Sequence, residues 1–217
     1  MFKAGSKGDG DRGGGILLVI LLGGVLSAIG LGLGALSATE RAVAGNHHAG
    51  VQLLYAAEAL AERVVLDLSD APEWSSALAG AARSAFFEPG TTVTAPWGEP
   101  LDVVQLTATL QQETRTGTSA APLAWRVYAS GSFDALASVP TGLPAFLVAW
   151  VGDDPADADG DPAADSNELV VVRLEARAFG GLRRAVQIAV RRLPPVPPGQ
   201  PTEDPPGVTI VAWREVR

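Results

Sequence analysis

Hydrophobic and polar positions fall into three regimes along the chain. From Gly13 to Thr39 there are 27 consecutive uncharged residues, most of them Leu, Ile, Val, Ala and Gly. About 20 apolar residues suffice for a helix to cross a hydrocarbon core of roughly 30 Å, so this run is long enough to span a membrane. After Thr39 the pattern turns amphipathic. Leu53, Leu54, Ala57, Leu60, Ala61, Val64 and Leu68 follow helical spacing, with Glu58, Glu62, Arg63 and Asp67 at other angles. The two regimes join into one predicted helix over residues 14–70, with its membrane-spanning part at about 14–39 and Pro72 closing it. The segment from Glu73, "EWSSALAGAARSAFF", predicts a short amphipathic helix with Trp74, Leu78 and Phe86 in the core.

The third regime is strand-like. Segments 91–95, 101–113, 123–130, 145–151, 168–179 and 183–193 carry β-branched and aromatic residues in partial alternation, separated by glycine and proline. Within 172–178, Val172, Leu174, Ala176 and Ala178 alternate with Arg173, Glu175 and Arg177, which predicts one face against a core and one in water. The proline-rich stretch 194–207 cannot join a ladder and reads as a stiff spacer. "VTIVAWREVR" beyond it is strand-like again and is expected to dock on the sheet. The fold class is therefore α+β, a long N-terminal helix packed on an antiparallel β-rich head over residues 71–217.

Charge sharpens one region. The net charge is −8, and Asp153, Asp154, Asp157, Asp159, Asp161, Asp165 and Glu168 account for all but one of those charges. The acidity is thus local to 153–168. No basic stripe with interleaved aromatics is present, so a nucleic-acid partner is not expected. With no cysteine, disulfides and thiolate metal sites are excluded. Neither G-x-S-x-G, H-E-x-x-H nor a phosphate-binding glycine loop occurs, and a non-enzymatic role is expected. His47 and His48 are adjacent and point about 100° apart on a helix, unlike an i, i+4 metal pair. Glu58 reads as a helix-surface carboxylate or an assembly contact, and the five tryptophans as core.

"DADGDPAADSNE", residues 157–168, has the spacing of a calcium loop. Calcium takes six to eight hard oxygens, and a twelve-residue loop supplies them from positions 1, 3, 5, 7, 9 and 12. Those positions are Asp157, Asp159, Asp161, the Ala163 carbonyl, Asp165 and Glu168. Pro162 stands where the helix-flanked version has glycine, and the flanks are strands. Two readings stay open: a Ca2+ site, or a solvated acidic loop that keeps a hairpin tip soluble. Magnesium fits less well because it demands a tight octahedron and keeps its waters.

"RGGGILLVILLGGVLSAIGLGLGALSATERAVAGN" followed by "LLYAAEALAERVV" resembles the N-terminal module of PilX-type minor type IV pilins over about residues 10–66, with "AGN" at 44–46 and "AAEA" at 56–59. The closing "WREVR" also resembles endings of that family. The resemblance implies a leader at 1–13, cut by a prepilin peptidase between Gly13 and Gly14. The helix is then retained in the inner membrane and later packed against other pilins. Major pilins carry glutamate at the fifth mature position, whereas here it is Leu18, a departure that suits a subunit at or near a tip. Lys3, Lys7 and Arg12 precede the apolar run and the acidic bulk follows it, which places the N-terminus in the cytoplasm and the head outside. Alternatives are a type II secretion pseudopilin, or a permanently membrane-tethered extracytoplasmic calcium-binding module or enzyme.

Overall fold

The computed structural model describes residues 10–115, 123–193 and 207–216, with side chains from residue 14 onward. Residues 1–9 of the expected leader 1–13 and the proline-rich spacer, apart from Gly207, lie outside the described residues. Helix α1 covers Gly10–Asp70 and contains both Gly13 and Gly14. Two compact units divide the chain, one up to His48 and one from Ala49.

In the first unit the helix is apolar and bare. Its large side chains from Ile16 to Leu36 are 48–77% exposed. A β-carbon placed on Gly23, Gly24, Gly30, Gly32 or Gly34 would meet nothing within 4 Å. This part of α1 is long and apolar enough to cross a membrane, and none of that apolar window is buried.

The second unit is built on a five-stranded antiparallel meander. Its strands are β3 (Arg126–Ser132), β4 (Phe146–Asp153), β5 (Leu169–Arg177), β6 (Arg183–Leu193) and β7 (Gly207–Val216), in spatial order β3-β4-β5-β6-β7. The pairings Leu147↔Ala176 and Leu174↔Val186 fix the register. With a side-chain period of two, this register sends Leu147, Val172, Leu174, Val186, Ile188 and Val190 to one face. There they meet Leu53, Ala57, Leu60, Val64 and Leu68 of α1. Each fully buried leucine or valine of this layer contributes about 1.5–3 kcal/mol relative to exposure.

The helix end is closed by side chains from elsewhere. Trp74 Nε1 donates to the Leu68 carbonyl at 2.9 Å. The Arg192 guanidinium lies 4.6 Å from the Trp74 ring and donates to the Ala71 and Pro72 carbonyls at 2.8 and 2.7 Å. These bonds take up carbonyls that have no partner within the helix or beyond its end. Near the other end of the packed segment, the Arg184 guanidinium lies against Gly50, where a β-carbon would stand 2.8 Å from its Nη2 and would move it aside.

The opposite face of the sheet is covered, contrary to the alternation read at 172–178. Segment 101–113, read as a strand, is strand only over β2 (Pro100–Asp102), which pairs with β1 (Thr92–Thr94) in a separate hairpin. Val103–Arg115 forms helix α3. Asp102 Oδ1 caps it by accepting from Gln105 N at 2.9 Å, and Val103, Leu106 and Leu110 turn inward at helical spacing. They form a second core with Trp125, Phe146, Val148, Trp150 and Val171. All of β4 is buried as a result, and Arg173 and Glu175 are only 4% and 5% exposed. Glu175 is held by Arg183 at 3.2 Å and Arg177 at 3.3 Å.

Two further expectations change. The helix after Glu73 is one turn, α2 (Ser75–Leu78), because Gly80 at φ +75° turns the chain away. Residues 84–88 then run along the outer edge of β3, where Ser84 and Glu88 N–H groups donate to the Tyr128 and Ser130 carbonyls at 2.9 and 2.8 Å. Trp74, Trp125 and Trp150 are core, whereas Trp213 on β7 is 45% exposed. A short helix α4 (Phe133–Ala137), capped by Ser132, follows β3.

Candidate metal centre

The acidic loop connects β4 to β5. Its geometry comes from aspartate side chains that bond the backbone two residues on, a habit that favours turns over strand or helix. Asp157 Oδ1 accepts from Asp159 N at 3.3 Å, Asp159 Oδ1 from Asp161 N at 2.9 Å, and Asp161 Oδ1 from Ala163 N at 3.0 Å. Gly160, at φ +72°, supplies the left-handed residue between them. Both ends of the loop are tied. Asp165 N donates to Ser75 Oγ of α2 at 3.2 Å, while Ser166 donates from both its N–H and its hydroxyl to the Asp157 carboxylate.

Three carboxylates converge. One oxygen each from Asp153, Asp157 and Asp159 lies within 4.8 Å of the others. Two oxygens on opposite sides of an ion with bonds of about 2.4 Å stand about 4.8 Å apart, so this spacing can hold a divalent cation. A cavity of about 190 Å³ adjoins the carboxylates, with Leu123, Ala124 and Pro155 among its walls.

The predicted ligand set and this cluster overlap in Asp157 and Asp159. Asp161, Asp165 and Glu168 do not join the cluster; Asp165 is engaged with the Leu169 N–H at 3.3 Å, and Glu168 takes a left-handed backbone at φ 58°. Ala163 lies two residues beyond Asp161 and donates its N–H to it. The residue that the twelve-position frame left out is Asp153, the last residue of β4. It belongs to the same acidic run, and its place at the end of a buried strand was the available signal.

The electrostatics are strained. Burial pushes the Asp153 carboxyl up to about 6, with the charges of Asp157, Asp159 and Asp165 adding to the shift. Asp165 is raised as well, chiefly by burial. Asp157 is held below the usual carboxylate range by the Ser166 hydroxyl and N–H. The loop therefore keeps an ionised carboxylate beside one that resists ionisation, and a bound cation would relieve that conflict.

The other candidate residues gather into no site. His47 and His48 are exposed and Glu58 is half-buried on α1. No family model, curated protein or solved structure matches the chain.

Proposed function

We propose that this chain is a minor pilin, a non-enzymatic assembly subunit of a type IV pilus of the PilX type, which primes assembly or sits near the tip. One observation carries the reading: a single helix is fully apolar and exposed in one part and forms an integral layer of an antiparallel sheet domain in the other. Such a helix suits lipid first and the packed interior of a filament afterwards. The bare glycines along it allow close approach of neighbouring helices. In this reading the helix crosses the inner membrane with the head outside, and a prepilin peptidase acts between Gly13 and Gly14.

Intact-mass analysis of the protein extracted from membranes of cells with an active prepilin peptidase tests it. Loss of residues 1–13 and a methylated new N-terminus are expected. Retention of Met1–Gly13 would overturn the pilin assignment in favour of a permanent tether. Recovery of the processed chain in sheared surface filaments separates a pilus subunit from a type II secretion pseudopilin.

Within this reading the acidic loop binds Ca2+. Hard carboxylate oxygens and more than three available oxygen donors suit calcium better than magnesium. Millimolar calcium is expected to raise the melting temperature of the full chain, and Asp153→Asn or Asp159→Ala to remove that gain. No shift in the unaltered chain would leave a solvated acidic loop as the account of this segment.

A further inference from the structure

A second concavity lies far in sequence from the acidic loop, between α3, the β3 edge and the segment following α2. Its volume is about 480 Å³, inside the range of about 300–1,000 Å³ typical of small-molecule sites. Val104, Ala108, Trp125 and Val127 give it an apolar lining. Gln111 and Thr107 in its wall are already used. Gln111 donates to the Leu123 carbonyl and accepts from Trp125 N. Thr107 Oγ1 donates to the Val103 carbonyl and accepts from Trp150 Nε1, both at 2.8 Å. Trp125 Nε1 is taken by Thr114 Oγ1 at 3.1 Å, and the indole, 1% exposed, lies beneath the groove as part of the core.

Two arginines stand at the rim, Arg83 and Arg126. Both pass close to Gly80, where an added β-carbon would lie 3.6 Å from Arg126 Cδ and 3.9 Å from Arg83 Nη2. Arg83 is oriented by the Phe87 ring, 5.1 Å from its guanidinium carbon. Among the described residues neither arginine's side chain forms an ion pair, and both side chains are exposed. A guanidinium fork matches a carboxylate bidentately, and the apolar lining matches a chain or ring attached to it.

We infer that this groove binds a small amphipathic carboxylate, its apolar body against Val104 and Val127 and its carboxylate between Arg83 and Arg126. The site stands apart from the pilin reading, since it uses neither the apolar part of α1 nor the acidic loop. Neutral and cationic amphiphiles of the same length lack the group that the arginines select.

The test uses the full chain in nanodiscs of uncharged-headgroup phosphatidylcholine, probed with a diazirine-bearing octanoate and mapped by mass spectrometry after illumination. Saturable labelling of peptides containing Val104, Ala108 or Trp125 is expected, competed by octanoate and not by octanol or octyltrimethylammonium. Arg83→Gln with Arg126→Gln should raise the half-saturating concentration at least tenfold. Ala108→Trp, a substitution at an exposed position that fills the groove, should abolish labelling while the far-UV circular dichroism stays unchanged. Labelling confined to the apolar residues 16–36, or equal competition by octyltrimethylammonium, would overturn the proposal. So would labelling that persists in Ala108→Trp. Stronger competition by octyl phosphate would overturn the choice of carboxylate, and stronger competition by a peptide with an apolar C-terminus the choice of a small molecule.

Discussion

Tyr128 illustrates how tightly single residues are held between α1 and the sheet. It is 3% exposed, and burial, reinforced by the charge of Asp67, pushes its phenol up to about 12. The neutral form is thus favoured in the folded state. The associated stability is fully present below the unfolded value of about 10 and is lost as pH rises toward 12. Tyr128→Phe should flatten the stability profile between pH 10 and 12, as read by denaturant unfolding at each pH. In a Tyr55→Phe background, absorbance titration should show the remaining phenol ionising late. The acidic loop teaches a related lesson. Its composition made a cation site visible in sequence, but ligand spacing along the chain did not reveal which oxygens meet. Asp153 joins Asp157 and Asp159 because β4 ends there and the chain folds back, a feature of tertiary structure that the twelve-position frame cannot encode.

Among elements, β5 is the most demanding. It places Arg173 and Glu175 under α3, where Glu175 is 5% exposed and bonded to Arg177 and Arg183. Removing one partner of a buried ion pair leaves the others uncompensated and costs about 3–5 kcal/mol. Glu175→Gln should therefore destabilise the fold by up to that amount in urea unfolding, while Arg183→Gln, at a more exposed partner, should cost less. The strands β3 to β7 were legible because β-branched runs bounded by glycine and proline coincide with them; β6 matches its expected limits at residues 183–193. Helix α3 was not legible. "VVQLTATLQQ" is rich in β-branched residues and reads as strand by composition, yet Asp102 caps it and Val103, Leu106 and Leu110 find a core at helical spacing. Tertiary packing outweighed a propensity difference of under about 1 kcal/mol per residue. Misreading α3 also hid the cover over β5, which is why Arg173 and Glu175 were expected in water.

At the scale of the whole molecule, α1 carries a bare apolar run long enough to cross a membrane, and the proposed function makes that run the membrane span. A lysine or arginine at the centre of a membrane-spanning helix costs about 2.5–3.5 kcal/mol on insertion scales. Leu26→Arg is accordingly expected to lower the insertion equilibrium constant by about two orders of magnitude, measured as loss of carbonate-resistant protein from membranes of expressing cells. Glu62→Arg, on the exposed side of the packed segment, should leave insertion unchanged. Equal extraction of both variants would remove the membrane role of residues 14–39.

The helix also decides where the chain can be cut. Leu53, Leu60, Val64 and Leu68 are the floor on which the strands rest, so a soluble fragment that starts at Pro72 would strip one side of the sheet and bare its valines and leucines. A fragment that starts at Ala49 keeps that floor. The workable scissors point for crystallisation or binding work is therefore inside the rod, some twenty residues before the rod itself ends.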